Sequence, residues 1–320
     1  MNETLKRVYE IGIIPVIAIE DAAQAVPLAK ALVAGGLPAA EITFRTAAAE
    51  DAIRAIVKEV PEMLVGAGTV LTCEQADRAM DAGATFIVAP GYDPNVTQHV
   101  IDKGGIMMPG TATAGEMQQA MNQGCDTLKF FPAEANGGVA MLKNIGAALK
   151  SAKWMCTGGV SAKNVNDYLG YDQIVAVGGT WMCKSDLIKA EKWDEITAMC
   201  KEAVKTMLGF ELAHIGVNCA DEGEAERTAK TLCALFGFEY KAGNSSIFAG
   251  KAVECMKKPG RGTHGHIAIA ANSVDRAVYH LGRQGVEFLE DSRVVDAKGK
   301  TKAIYVKDEV CGFAVHLMQK

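Results

Sequence analysis

Two short stretches of this chain carry charge where strands are expected. In Glu41-Ile42-Thr43-Phe44-Arg45, Glu41, Thr43 and Arg45 share one parity, and Ile42 and Phe44 the other. In an extended strand, a carboxylate, a hydroxyl and a guanidinium therefore fall on one face. In Thr127-Leu128-Lys129-Phe130-Phe131-Pro132, Lys129 sits mid-run between apolar neighbours. Burying an ammonium is expensive, and burial favours the neutral amine, which is the nucleophilic form. Each stretch also has a plainer reading: a buried ion pair for the first, and a lysine that binds an anion at a strand end for the second. Two later runs end in glycine, at Thr157-Gly158-Gly159 and Val177-Gly178-Gly179-Thr180. Glycine lets backbone N–H groups approach an anion closely, which suits a phosphate. An amine, a carboxylate, an arginine and a phosphate cradle together fit Schiff-base chemistry on a phosphorylated 2-oxo acid. Lys129 would condense with the ketone, Glu41 would shuttle protons partly through water, and Arg45 would hold the substrate carboxylate as a fork.

These residues need a scaffold that brings strand ends together. Strand-like runs recur at Ile13–Ile19, Ala39–Phe44, Met63–Gly68, Thr85–Pro90, Gly105–Gly110, Thr127–Pro132, Lys153–Gly159 and Ile174–Gly179, with helical spacing between them, as in Asp21–Ala34, Ala47–Val60, Cys73–Ala82 and Gly115–Asn122. Mostly apolar strands alternating with helices predict a parallel sheet, and eight of them predict a compact (β/α)8 TIM barrel over 1–207. In such a barrel the strand C-termini carry the chemistry, and the phosphate site falls after the last two strands.

The chain has 320 residues, more than one barrel uses. After Gly209 the pattern changes. A strand at Phe210–Asn218, a helix at Glu222–Leu235 and short strands at Ser246–Ala249 and Ala252–Met256 are followed by a strand at Gly265–Ala270, a helix at Val274–Gly285 and strands at Thr301–Val306 and Gly312–Met318. This order repeats after about 50 residues and predicts a smaller α+β domain of two βαβββ modules over 208–320. Histidine divides the same way: His99 is the only one before His214, while His214, His264, His266, His280 and His316 follow.

The first part resembles the bacterial 2-keto-3-deoxy-6-phosphogluconate (KDPG) and 4-hydroxy-2-oxoglutarate (KHG) aldolases over roughly residues 5–207. The resemblance rests on Pro15-Val16-Ile17, the run from Ala25 to Gly36, Glu41-Ile42-Thr43-Phe44-Arg45-Thr46, Val65-Gly66-Ala67-Gly68-Thr69-Val70-Leu71, Lys129-Phe130-Phe131-Pro132-Ala133-Glu134 and Thr157-Gly158-Gly159-Val160-Ser161. It implies Lys129 as the Schiff-base lysine and Glu41 as the general acid and base. Arg45 and Thr69 then hold the pyruvyl carboxylate, Phe131 and Thr157 contact the substrate, and Gly158, Gly159, Gly179 and Thr180 take the phosphate. Thr180 stands where a serine is common and keeps the hydroxyl. The resemblance also implies a homotrimer and an aldolase that needs no metal or other cofactor. A metal-dependent phosphosugar epimerase would need His and Asp ligands at the strand ends, and the barrel holds only His99, in a predicted helix. The gluconate and galactonate series of substrate both remain open.

The last part resembles a glyoxalase or vicinal-oxygen-chelate domain, through Phe236-Gly237-Phe238, Gly265–Ile269 and the paired His214-Ile215-Gly216-Val217 and His266-Ile267-Ala268-Ile269. In that family each module supplies two metal ligands. The matching positions are His214, Glu254, His266 and His316, a set suited to Zn, Ni, Fe or Mn. Their neighbours Ile215, Val253, Ile267 and Val315 have the opposite parity. His316 stands where the family often has a carboxylate that serves proton transfer. A metal-dependent lyase or isomerase, a sensor and an oligomerisation module are the alternatives for this part.

Composition excludes other classes. Net charge is 33 − 38 = −5, with no basic cluster to suggest a nucleic-acid or polybasic membrane surface. The nine cysteines include no Cys-x-x-Cys pair; the closest, Cys219 and Cys233, are 14 apart, which argues against a zinc ribbon and suits a reducing cytoplasm. The apolar run Ile11–Ile19 is bounded by Glu10 and Glu20 and broken by Pro15, so neither a signal peptide nor a membrane span is expected.

Overall fold

A computed structural model describes residues 2–320. The chain divides into two units, the first ending at Met207 and the second spanning Leu208–Lys320.

In the first unit the Ile/Val-rich runs form parallel strands that are buried along their length: β1 (Ile13–Ile17), β2 (Ala39–Thr43), β3 (Leu64–Gly68), β4 (Phe86–Val88), β5 (Met107–Met108), β6 (Gly110–Thr111), β7 (Leu128–Phe130), β8 (Trp154–Thr157) and β9 (Ile174–Gly179). Unbroken burial is what a parallel sheet covered on its outer side and filled on its inner side produces. The ladder runs β5-β4-β3-β2-β1-β9-β8-β7-β6. Its two ends belong to one predicted strand, Gly105–Gly110, which Pro109 divides: a proline has no N–H to give to the ladder. Met107–Met108 pairs with β4 on one side and Gly110–Thr111 with β7 on the other, so the sheet is a nearly closed barrel.

Helices alternate with the strands: α1 (Glu3–Ile11), α2 (Ala25–Ala34), α3 (Ala49–Glu59), α4 (Cys73–Asp81), α5 (Pro94–Asp102), α6 (Ala114–Asn122), α7 (Gly138–Ala148), α8 (Val165–Leu169), α9 (Ser185–Lys189) and α10 (Trp193–Leu208). Local chemistry sets several starts. Thr113 and Glu116 form a capping box at α6, and Asp93 caps α5 ahead of Pro94 at its first turn. The expected helix Asp21–Ala34 begins as a 3-10 turn, Ala22–Gln24, before α2. His99 lies in α5, paired with Asp77 on α4.

The second unit has the element order β10 (Glu211–Asn218), α11 (Glu222–Phe236), β11 (Tyr240–Ala242), β12 (Ser246–Ala249), β13 (Val253–Met256), β14 (Gly265–Ala271), α12 (Val274–Gly282), β15 (Phe288–Val295), β16 (Thr301–Val306) and β17 (Phe313–Gln319). Strands β11 and β15 were not expected. They are the two edges of one eight-stranded sheet, ordered β11-β12-β13-β10-β14-β17-β16-β15, and neither shows the apolar alternation of a half-buried strand. At the centre β10 and β14 run antiparallel, while β10–β13 and β14–β17 run parallel. Ala225 and Ala229 of α11 pack with Ile247, Ala249 and Cys255, and Val253 joins them. Alternation then turns Glu254 to the opposite face of the sheet.

Candidate active site and a histidine cup

The charged pair of the first unit meets inside the barrel. Lys129, mid-strand in β7, places Nζ 3.1 Å from Glu41 Oε1 on β2. Glu41 is 0% and Lys129 5% exposed. Isolated buried charges of this kind are very costly; a pair with one hydrogen bond offsets part of that cost. Glu41 Oε2 has no hydrogen-bond partner among the described residues. The pair fits because β3 offers no side chain at Gly68, where a Cβ would fall 2.1 Å from Glu41 Oε1. The Phe131 ring lies beside the ammonium, 5.3 Å from Nζ to its centroid. A neighbouring hydroxyl, Thr157 Oγ1 at the end of β8, is buried and also lacks a partner among the described residues. Gly178 leaves it space, since a Cβ there would fall 2.3 Å from Oγ1.

Around this pair the remaining expected residues gather at strand C-termini. Strand β2 stops at Thr43, so alternation alone does not position Arg45. Thr43 does: its Oγ1 donates to the Ile17 carbonyl and accepts from Arg45 Nε at 3.0 Å. Arg45 and Thr180 line one cleft of about 560 Å³, together with Val16, Glu20, Lys184 and Lys189. Thr69, directly after β3, has φ +56°, a left-handed conformation that is a genuine outlier for a β-branched residue. Gly158 and Gly159 follow β8 with φ of +101° and +82°, and Gly179 ends β9. The sequence pattern gives Thr43 only a place on the face of Glu41 and Arg45, and gives Gly68 no role; a glycine ending a buried strand was the available signal for the latter.

The second unit gathers a different set. The ring nitrogens of His214, His266 and His316 offer donor atoms all within 4.8 Å of one another. Glu254 Oε2 lies 3.2 Å from His214 Nε2 and 3.1 Å from His266 Nε2. Donors bound at about 2.0–2.2 Å around one divalent cation stand roughly 3.0–3.5 Å apart, so the Glu254 contacts match a shared cation. Both nitrogens of His316 are buried without a partner among the described residues, which leaves one of them for a ligand bond. The three imidazoles therefore fit a divalent metal, with the Glu254 carboxylate beside two of them. Ser246 was not expected here. It lies on the Glu254 face of the adjacent strand, and its hydroxyl donates to Glu254 Oε1 at 2.5 Å, leaving Oε2 toward the imidazoles. Tyr305 stacks on His316, ring centroids 4.8 Å apart. Burial opposes ionisation of Glu254, but hydrogen bonds from His214, His266 and Ser246 outweigh it and hold the carboxyl well below the usual range. Burial, reinforced by His266 and His214, pushes His316 down to about 4, so its imidazole is neutral near pH 7.

The family model described as KDPG and KHG aldolase matches residues 4–199. The chain belongs to the KDPG and KHG aldolase family. It is 40% identical over 203 residues to the 2-dehydro-3-deoxy-phosphogluconate aldolase of Treponema pallidum, covering 63% of this chain and 95% of that protein. It is 42% identical over 193 residues to the KHG/KDPG aldolase of Escherichia coli K12, covering 60% and 91%. Among solved structures it resembles the KDPG aldolase of Legionella pneumophila with pyruvate captured as a covalent carbinolamine, with TM-score 0.61, 35% identity and coverage of 63% and 98%. The first unit is thus an aldolase barrel, and the enzyme class is that of the aldehyde-lyases. No helix among the described residues is long and apolar enough to cross a membrane.

Proposed function

We propose that the first unit cleaves 2-keto-3-deoxy-6-phosphogluconate to pyruvate and glyceraldehyde 3-phosphate through a Schiff base on Lys129. The observation that carries this reading is the buried Lys129–Glu41 contact of 3.1 Å. Glu41 takes a proton from the Lys129 ammonium, and the amine adds to the substrate C2 carbonyl. Glu41 returns that proton to the carbinolamine hydroxyl, which leaves as water and gives an iminium. Glu41, partly through water, removes the C4 hydroxyl proton. The C3–C4 bond breaks, its electron pair flows into the iminium, and the aldehyde leaves. The enamine takes a proton at C3, and water returns free Lys129 and pyruvate. Arg45 and Thr69 hold the carboxylate, Phe131 and Thr157 contact the chain of the substrate, and Gly158, Gly159, Gly179 and Thr180 cradle the phosphate. The same steps cleave 4-hydroxy-2-oxoglutarate to pyruvate and glyoxylate. The carbinolamine captured in the Legionella relative supports this chemistry. We propose further that the aldolase works as a cytoplasmic homotrimer without a cofactor.

The test is borohydride trapping with pyruvate, followed by a substrate panel of the gluconate and galactonate series assayed for pyruvate release. Lys129→Ala serves as the blank. A wild-type chain that gains no pyruvyl adduct at Lys129 sinks the reading.

For the second unit, His214, Glu254, His266 and His316 would hold one divalent cation such as Zn, Ni, Fe or Mn. The convergence of three imidazoles, two of them in contact with the Glu254 carboxylate, supports this. Such a cation supplies Lewis-acid polarisation of an oxygen ligand. The fold resembles a vicinal-oxygen-chelate domain of two βαβββ modules, whose role is that of a metal-dependent lyase or isomerase, of a sensor or of an oligomerisation module. Metal analysis of the full chain against Glu254→Gln decides the cation: equal metal content in both removes it.

A further inference from the structure

Directly after the Schiff-base strand, the loop Ala133–Gly138 is fastened to the glycine loop that follows β8. The N–H of Ala133 donates to the Thr157 carbonyl at 2.8 Å, and the N–H of Glu134 to the Gly158 carbonyl at 3.0 Å. The Glu134 stem covers the space that Gly159 leaves open: a Cβ at Gly159 would fall 2.5 Å from Glu134 Cγ. An exposed carboxylate thus sits on the glycine pair that is read as the phosphate cradle. Left to swing, it would face a phosphate dianion, and like charges a few ångströms apart repel even near water.

The carboxylate does not swing freely. Tyr168, on α8 and 1% exposed, donates its hydroxyl to Glu134 Oε1. The two groups meet over Gly138, where a Cβ would lie 3.1 Å from Glu134 Oε1 and 3.3 Å from the Tyr168 hydroxyl. A side chain there would crowd the contact. Burial and the neighbouring carboxylate both keep the Tyr168 phenol protonated, and so a donor.

We propose that Tyr168 is a positioning residue for the phosphate end of the aldolase site, holding the Glu134 carboxylate aside so that the Gly158–Gly159 cradle can accept a phosphate. This rests on the reading of those glycines as the phosphate cradle. The hydroxyl draws the negative charge toward α8 and Gly138 while the Glu134 stem still packs on Gly159. The function of the latch is selective: it matters for a phosphorylated substrate and is indifferent to an unphosphorylated one.

The test is a set of steady-state assays on the full chain with 2-keto-3-deoxy-6-phosphogluconate and with the same sugar acid lacking phosphate. Wild type favours the phosphorylated substrate. Tyr168→Phe raises KM for that substrate about tenfold, the scale of one unscreened like-charge contact. It leaves kcat, and KM for the unphosphorylated acid, unchanged. Adding Glu134→Gln to Tyr168→Phe restores the wild-type KM, because the freed arm no longer carries charge. A role in packing alone raises KM for both substrates and gives no rescue, and either result overturns the proposal. If wild type shows no preference between the substrates, the phosphate reading itself falls, and the latch with it. If the preference is present and Tyr168→Phe keeps it, only the latch falls. Should Tyr168→Phe not fold, Glu134→Asp carries the same test: it keeps the charge on an arm too short for the hydroxyl, and an unchanged KM for the phosphorylated substrate overturns the proposal.

Discussion

Lys129 and Glu41 stand 88 positions apart in the chain and 3.1 Å apart in space, each on its own strand of one barrel. The contact leaves Glu41 Oε2 without a partner among the described residues, so one hydrogen bond offsets only part of the cost of burying the two charges. Removing one member leaves a buried charge uncompensated. Lys129→Ala is expected to lower unfolding free energy by about 3–5 kcal/mol as well as to abolish pyruvate release. Lys129→Ala combined with Glu41→Gln recovers most of the stability and none of the activity. Denaturant unfolding of the two variants checks this.

Gly68 is a second handle on the same carboxylate. A methyl group there would stand 2.1 Å from Glu41 Oε1, so Gly68→Ala must move the carboxylate. A displacement of that order costs about a hundredfold in rate when it falls on a proton-transfer group. The expected outcome is a folded protein whose rate of borohydride-trapped adduct formation falls by that factor. An unchanged trapping rate removes Glu41 from the amine-activation step.

Thr69 holds φ +56° at the end of β3. The strain is worth about 1–2 kcal/mol, and it persists where surrounding structure enforces it. Thr69→Asn, a residue that tolerates this conformation, should raise the melting temperature and at the same time raise KM for the 2-oxo acid. A stabilised variant with unaltered KM would show that the strain serves nothing in binding.

Ser246 orients Glu254 through Oε1 and leaves Oε2 for the imidazoles. Ser246→Ala should weaken divalent-metal affinity about tenfold or more, as loss of a ligand's hydrogen-bond partner does. Competition against a chromogenic chelator reads this. The same chelator should leave pyruvate release by the barrel at its original rate.

Glu116 gives a pH dependence. Burial opposes its ionisation, but the N–H groups of Ala112 and Thr113 and the Thr113 hydroxyl hold the carboxyl below the usual range. A depressed folded-state value contributes stability that is complete above the ordinary carboxylate range and disappears as pH falls through the lowered value. Wild type should therefore exceed Glu116→Gln by up to about 1 kcal/mol at pH 7, since the group is only partly buried and solvent screens it. The gap should close on acidification; a gap that widens toward low pH contradicts the cap.

The barrel was legible from apolar strands alternating with helices, and the Lys129–Glu41 pair because a carboxylate and an ammonium inside apolar runs are too costly to bury unless they meet a partner or a substrate. The four cup positions rest on the resemblance to a vicinal-oxygen-chelate domain, with parity in support: Val253 and Cys255, on either side of Glu254, pack with Ala225 and Ala229 of α11. What escaped has physical causes. Strand β15 runs through Glu290, Asp291 and Arg293 at a sheet edge, where little burial enforces alternation. Pro109 divides a strand without changing its apolar pattern. The strain at Thr69 and the Ser246 bond depend on backbone angles and cross-strand register, which residue types do not encode locally.

The residues read as the aldolase site lie at or before Thr180, and those of the histidine cup at or after His214. Covalent linkage at Met207–Leu208 joins these two sets of residues in one chain. What it sets is stoichiometry: translation delivers one cup with each aldolase site, whatever the level of expression.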